Sequence, residues 1–276
     1  MPNETHLPSD IAVNNYVNSL QDICRFFDQI VNKYEFIYPN YLNEQRRIAI
    51  YLNQLFNKRQ ATKILDIACG NGTLLNALGE LNHKYELFGT DISKKSISFA
   101  RRHSRKANFA ITYNIIDWMN LETLFPRKFD SVLCIGNSLS HIHQKYHKHI
   151  FKKIHCLLTK GGAFILDIYS DWQALFREKK FFQPRGYSRF SKEIVFCNFI
   201  NEFNLNHIKR HVCFSYYLNQ RFSDEPQRME IYTICQFPMA LSKLMKDLKF
   251  AGFKDIKELK DLKNHRGLIY LMAPKG

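Results

Sequence analysis

The stretch Ile64–Thr73, ILDIACGNGT, is where the fold is decided. Its first half, Ile64-Leu65-Asp66-Ile67, is a short apolar run of the kind a strand covered on both faces requires. Ala68-Cys69-Gly70-Asn71-Gly72 must then turn the chain sharply before the amphipathic segment Thr73–Glu80. Glycines permit such a turn and let a ligand approach the main chain at the strand's carboxyl end. The two glycines form a GxG, but Leu75 stands where a dinucleotide fingerprint has its third glycine, which speaks against NAD or FAD.

Working outward, short apolar runs alternate with segments of helical length, the pattern of a parallel sheet covered by helices. Strands are expected at Lys63–Ile67, Tyr85–Thr90, Phe109–Asn114, Ser131–Ile135 and Ala163–Ile168. Helices are expected at Thr73–Glu80, Lys94–Ser104, Trp118–Leu124 and Lys145–Leu158, with Gly161-Gly162 as a turn before the fifth strand. Upstream, Ile11–Phe56 reads as helices broken at Pro39, with Val17, Leu20, Cys24, Phe27 and Ile30 on one apolar stripe. Downstream, Glu193–Phe203, His207–Gln220 and Arg228–Phe237 read as antiparallel strands of a cap over the site. A helix over Pro238–Ala251 and a hairpin of Asp255–Leu259 with Leu268–Ala273 close the chain. The expected architecture is a Rossmann-like α/β fold: a seven-stranded, mostly parallel sheet with an antiparallel edge strand, N-terminal helices, and an antiparallel β cap inserted after strand five. Residues 1–276 then form a single domain, with a helical lid at 11–60 and a substrate cap at 170–237.

In such a sheet the ligand crevice lies at the carboxyl ends of the strands. GTDIS (Gly89–Ser93) puts Asp91 there, 19 residues beyond Gly72, where a carboxylate can accept hydrogen bonds from both hydroxyls of a ribose. Asp91 could instead cap the following helix, but with the glycine loop at the right distance ribose binding is the favoured reading. Ile115-Ile116-Asp117-Trp118 offers a carboxylate and an aromatic face for an adenine, or else a helix cap and a core tryptophan. Strand four runs into polar residues, FDSVLCIGNSLSH over Phe129–His141.

Together these segments resemble the class I S-adenosylmethionine-dependent methyltransferases, over Leu65–Ile168 and in the pattern of Ala251–Met272. CIGNSLSHI (Cys134–Ile142) is similar to the strand-four motif of glycine and sarcosine N-methyltransferases and their small-molecule relatives. The resemblance implies S-adenosyl-L-methionine as cofactor, with Asp66, Ala68, Gly70 and Gly72 around its methionine part and Asp91 on the ribose. It implies further that Ile92 packs on the adenine, that Asp117 and Trp118 hold it, and that Ile135 and Asn137 lie beside the sulfonium and the substrate. Glycine-methylating relatives carry an arginine just after strand five, whereas this chain reads Asp167-Ile168-Tyr169-Ser170-Asp171, which speaks against glycine itself.

Methyl transfer from a sulfonium is an in-line displacement, so positioning and exclusion of water dominate. A neutral amine needs only its lone pair, whereas an oxygen nucleophile wants a base such as His141, which could instead be a hydrogen-bonding residue at a helix start. Asn137 and His141 are the catalytic candidates, and Tyr34, Tyr38, Tyr169, Arg185, Tyr216 and Arg228 are the candidates for a wall around a small polar or anionic substrate.

The chain has 276 residues and a formal charge of +15, which attracts nucleic acid, anionic membrane or an acidic small molecule without choosing among them. An RNA or protein methyltransferase is the second reading, on the basic runs Lys94–Lys106 and Gln144–Lys153, although these fall on outer helices. The third is a non-catalytic, cofactor-binding regulatory protein. No run reaches the roughly 18 apolar residues of a membrane span, and residues 1–10 lack the pattern of a signal peptide, so a cytoplasmic protein with no membrane partner is expected. Seven scattered cysteines without a CxxC suggest neither a disulfide framework nor a metal site. The substrate and the oligomeric state are not legible here.

Overall fold

The computed structural model describes residues 10–38, 40–105, 107–124, 128–169, 185–187, 193–203, 207–218, 228–262 and 268–276. Pro39, Lys106 and the expected first part of the cap, 170–184, lie outside the described residues. Helices α1 (Asp10–Ile30), α2 (Tyr34–Ile37) and α3 (Tyr41–Arg59) precede an alternation of strands and helices. That alternation runs β1 (Lys63–Asp66), α4 (Thr73–Leu81), β2 (Glu86–Asp91), α5 (Lys94–Ser104), β3 (Ile111–Ile115), β4 (Phe129–Cys134), α6 (His147–Leu157) and β5 (Leu158–Tyr169). The cap strands β6 (Arg185–Tyr187), β7 (Glu193–Phe203), β8 (Ile208–Leu218) and β9 (Arg228–Gln236) follow, then α7 (Leu241–Phe250), β10 (Lys257–Glu258) and β11 (Leu268–Pro274).

The main sheet has the order β10-β11-β5-β4-β1-β2-β3. Strands β1 to β5 pair in parallel, and β11 lies antiparallel to both β5 and β10. Because side chains alternate across a sheet, neighbouring residues of each central strand enter different cores. Leu65, Val132, Phe164 and Leu166 face Phe151, Ile154, Leu244 and Leu248 of α6 and α7. Ile64, Leu133, Ala163 and Ile165 face Leu52, Phe56, Leu75, Leu78 and Ile97 of α3, α4 and α5. This is the doubly wound Rossmann-like arrangement, whose loops at the carboxyl ends of the strands form one crevice.

Two expectations are corrected. Gly161 and Gly162 are not a turn before strand five, since β5 already begins at Leu158 and runs through them. Its register against β4 jumps from Phe129↔Leu158 to Ser131↔Ala163, and the extra residues bulge at Gly161, whose φ of +76° a β-carbon would strain. Trp118–Leu124 forms 3-10 turns with a break at Asn120 rather than an α-helix. There the Asp117 carboxylate accepts the Met119 N–H at 2.9 Å while the Trp118 indole N–H is held by the Ile67 carbonyl at 2.6 Å, so both ends of the first turn are tied down.

The cap is a second, antiparallel sheet of order β6-β7-β8-β9, with one strand more than the alternation in the sequence revealed. Its inner face packs Val195, Cys197, Val212, Phe214 and Ile234 against Phe26, Ile30 and Ile37 of α1 and α2. A backbone bond from the Phe237 N–H to the Ser140 carbonyl (2.7 Å) ties the cap to the end of β4. Helices α1 and α2 are thus held between the cap and the crevice of the main sheet.

Candidate active site

The site begins with three carboxylates at strand ends. Asp91, at the end of β2, accepts the Gly70 N–H on one oxygen and the Ser93 N–H on the other, both at 2.9 Å, and so stitches the glycine loop to the neighbouring strand. Asp66, at the end of β1, accepts only the Ala68 N–H among the described residues, at 3.2 Å. Asp167, in β5, accepts the Gly136 and Asn137 N–H groups at 3.0 and 2.6 Å. Burial raises all three carboxyls above the ordinary range. Asp66 reaches about 7, because its buried carboxylate also faces the charges of Asp91 and Asp167. Asp167 reaches about 6 despite its backbone bonds. Three acidic groups thus gather at the crevice of a chain with strongly positive net charge.

The two glycines of the opening motif do different things. Gly70 sits at φ +53°, and a β-carbon there would meet nothing within 4 Å, so its face is open toward the crevice. Gly72, at φ +76°, lies where a β-carbon would fall 2.4 Å from the Tyr113 hydroxyl and 2.9 Å from the Ala100 Cβ. The first glycine leaves room for a ligand, and the second lets α4 pack against β3 and α5.

A cleft joins many of the residues singled out in the sequence. Ala68, Gly70, Asp91, Ile92, Asp117, Trp118, His141 and Tyr34 line it together, with Ile67, Ile116, Ser138 and Ile142. Leu20, Ile23 and Phe27 of α1 form its remaining wall. Asp28, one residue on, accepts the Ser93 hydroxyl at 2.5 Å and the Lys95 N–H at 3.1 Å, fixing α1 to the first turn of α5. His141 packs edge-on to Phe27 at 5.4 Å between ring centroids and faces the Cys235 carbonyl at 3.4 Å. Burial pushes its imidazole down to about 4, so it is neutral at physiological pH.

Other predicted residues lie beside the cleft or away from it. Asp66 and Ile135 are buried beneath it, and Gly72 packs as described. Asn137, at φ +58°, accepts the Tyr169 N–H on its side-chain oxygen at 3.2 Å and so joins the ends of β4 and β5. The ring of Tyr38 is 6.4 Å from that of Tyr34. Tyr216 and Arg228 gather around Glu230: the Tyr216 hydroxyl donates to it at 2.8 Å, and Arg228 pairs with it at 3.1 Å. Lys33 completes that group, bonded to Glu230 and lying over the rings of Phe214 and Tyr232. The backbone of Arg185 is in β6, and its side chain is outside what the structure describes.

Sequence reasoning missed Asp167, whose backbone partners come from a different strand, and Arg210, which sits among apolar residues of β8 on the cap's inner face. Leu20 and Phe27 were visible as a helical stripe, but not the surface that they cover.

Residues 64–162 match the family model of a methyltransferase domain. Among curated proteins, a glycine/sarcosine N-methyltransferase of Halorhodospira halochloris is 28% identical over 115 residues, 41% of this chain and 42% of the relative. A ubiquinone-biosynthesis O-methyltransferase of Idiomarina loihiensis is 32% identical over 100 residues, 36% of this chain and 39% of the relative. The chain thus covers about two fifths of the length of the curated relatives that it matches. A crystal structure of an S-adenosylmethionine-dependent methyltransferase from Clostridium acetobutylicum superimposes with a TM-score of 0.70 at 20% identity, over 89% of this chain and 98% of the other. The likeness in fold extends over most of the chain, whereas the family model matches residues 64–162 alone. Among the described residues no helix is long and apolar enough to cross a membrane.

Proposed function

We propose that the protein is an S-adenosylmethionine-dependent methyltransferase that methylates a small polar molecule at an amine nitrogen. The reading rests chiefly on the cleft at the ends of β1, β2 and β3, where the open face of Gly70, the carboxylate of Asp91 and the apolar wall of Ile92, Ile116 and Trp118 converge. These residues fit the cofactor's parts. Asp91 keeps lone pairs free for ribose hydroxyls, the apolar wall suits an adenine face, and Asp117 can accept from its amino group. Asp91 and Asp167 place carboxylates where a sulfonium cation would sit, and Asp66 adds charge only as it loses its proton near 7. The cofactor supplies an activated methyl group, and the chain's task is to hold the acceptor in line and keep water out, for which Leu20, Ile23 and Phe27 close the cleft.

The matched relatives include both nitrogen and oxygen methylators by name, so the acceptor atom is argued from chemistry. His141 is held neutral with a pKa near 4, too weak a base to take a hydroxyl proton effectively. A neutral amine presents its lone pair without that help, which favours nitrogen. Calorimetry with S-adenosylmethionine and its demethylated product tests the first half of the proposal: binding is expected, and no heat with either would sink it. Label transfer from methyl-tritiated cofactor tests the second half, with label expected in small amines; label in total RNA would hand the basic surface to the RNA reading.

A further inference from the structure

Strand β8 alternates its side chains, and Ile208, Val212, Phe214 and Tyr216 on the cap's inner face are all buried. Arg210 belongs to the same stripe, a permanent cation in an otherwise apolar row. Its Nε donates to the Asn201 side-chain oxygen at 3.0 Å, and its guanidinium lies 5.5 Å from the centre of the Phe199 ring. No carboxylate pairs with it among the described residues, and its other N–H donors find no protein acceptor there. Arg210 is half-buried. Guanidinium groups cannot shed their proton, so one whose partner among the described residues is a neutral amide oxygen has fork donors left for an anion from outside the chain.

The surroundings say which anion and where. Tyr38, Tyr169 and His141 are the titratable groups close enough to exchange electrostatic influence with Arg210. Two are phenols and the third is an imidazole kept neutral by burial, so among these described groups the guanidinium alone carries a charge. One carboxylate neutralises it, with both oxygens matching the guanidinium fork, whereas a phosphate dianion would leave an excess charge buried. His141 also lines the cofactor cleft, and the Tyr169 N–H is bonded to Asn137 at the end of β4. Arg210 therefore lies within electrostatic reach of the cleft, and a molecule bound to it can extend there. We propose that Arg210 anchors a carboxylate of the methyl acceptor, so that the substrate is an amine that also carries a carboxylic acid. The anchor comes from the cap sheet and not from the segment after strand five.

The inference rests on the methyltransferase reading, and one experiment separates the two. The full chain is saturated with S-adenosylhomocysteine and offered acetate, benzoate, inorganic phosphate, and the neutral isosteres acetamide and benzamide, with binding followed by ligand-detected NMR. Saturable binding of a carboxylate is expected, with the matching amide at least tenfold weaker. Arg210→Met should abolish carboxylate binding and Arg210→Lys should weaken it, both with unchanged affinity for S-adenosylhomocysteine. Removing a half-buried cation that no described carboxylate pairs should leave the melting temperature of the ligand-free Arg210→Met protein unchanged or higher. Equal binding of carboxylate and amide, preferred binding of phosphate, carboxylate binding that survives Arg210→Met, or a collapse in melting temperature that Arg210→Lys restores would each overturn the assignment. Should S-adenosylhomocysteine fail to bind, the methyltransferase reading falls, and the carboxylate titration of the ligand-free chain still judges Arg210.

Discussion

Asp66 keeps its proton to an unusually high pH because its environment opposes a charge in two ways. It is buried and two further carboxylates stand close by, and the single backbone N–H that it accepts at 3.2 Å offsets these only in part. In the unfolded chain the same group ionises near 3.8, whereas in the fold it does so near 7. Between those values the native state holds the extra proton, so the stability it contributes is complete below the lower value and is lost as pH rises through the higher one. Asp167, raised to about 6, acts in the same direction. Asp66→Asn keeps an acceptor for the Ala68 N–H and removes the charge. Melting curves of the ligand-free proteins are expected to coincide near pH 4 and to separate progressively toward pH 8, with Asp66→Asn the more stable. Parallel curves over that range would show that Asp66 ionises normally. The three carboxylates also illustrate what residue types reveal: Asp66 and Asp91 stood out because they flank the glycine motif, while Asp167 ended an apolar strand with no nearby signal. Its role depends on N–H groups at Gly136 and Asn137, some 30 positions earlier in the chain.

At the scale of elements, the loop between β1 and α4 concentrates the fold's demands on two glycines that the sequence presents as equivalent. Gly72→Ala combines a left-handed backbone with collisions at Tyr113 and Ala100, and is expected to cost about 2–4 kcal/mol from strain plus overpacking. Gly70→Ala meets no atom and should cost only about 1 kcal/mol of backbone strain. Urea denaturation of both variants tests the contrast; equal losses would mean that packing behind Gly72 relaxes freely. The order of severity could not be read from the motif, because Ala100 and Tyr113 arrive from α5 and β3. The parallel strands were legible to within a few residues, since a strand buried on both faces must be continuously apolar, as in Ile64-Leu65 and Val132-Leu133. Helix α5 was expected at its observed limits, Lys94–Ser104, and the structure shows that Ser93 caps it by accepting the Ser96 N–H at 3.0 Å. What failed were segments governed by partners elsewhere. Gly161-Gly162 has the composition of a turn, yet the pairing of Phe129 and Ser131 with β5 makes it a bulge. Strand β6 has only three residues and no alternation to announce it.

Across the whole molecule, the relation between α1 and the main sheet decides how the cleft opens. The sequence showed an apolar stripe through Leu20 and Phe27 but could not say that it splits its contacts, with Leu20, Ile23 and Phe27 on the cleft and Phe26 and Ile30 on the cap. Apolar contacts alone hold a helix without fixing its position along the groove, because they are not directional. Asp28 supplies the direction. Its carboxylate accepts the Ser93 hydroxyl and the Lys95 N–H, so an acidic group of α1 satisfies donors at the positive end of α5. Since α1 forms one wall of the cleft, a shift of this helix opens it, and Asp28 is a polar contact that resists the shift. Loss of that bond is expected to cost about 1–2 kcal/mol, corresponding to roughly five- to thirtyfold faster departure of S-adenosylhomocysteine from Asp28→Ala in a stopped-flow chase. Asp22→Ala serves as the control, because Asp22 lies on the same helix but among the described residues forms an ion pair only with exposed Arg25 at 3.6 Å, and its removal should leave the rate unchanged. If both variants release the ligand at the wild-type rate, α1 does not gate the cleft and access runs beneath the cap instead; if both release it faster, the effect belongs to the charge of the helix and not to its contact with α5.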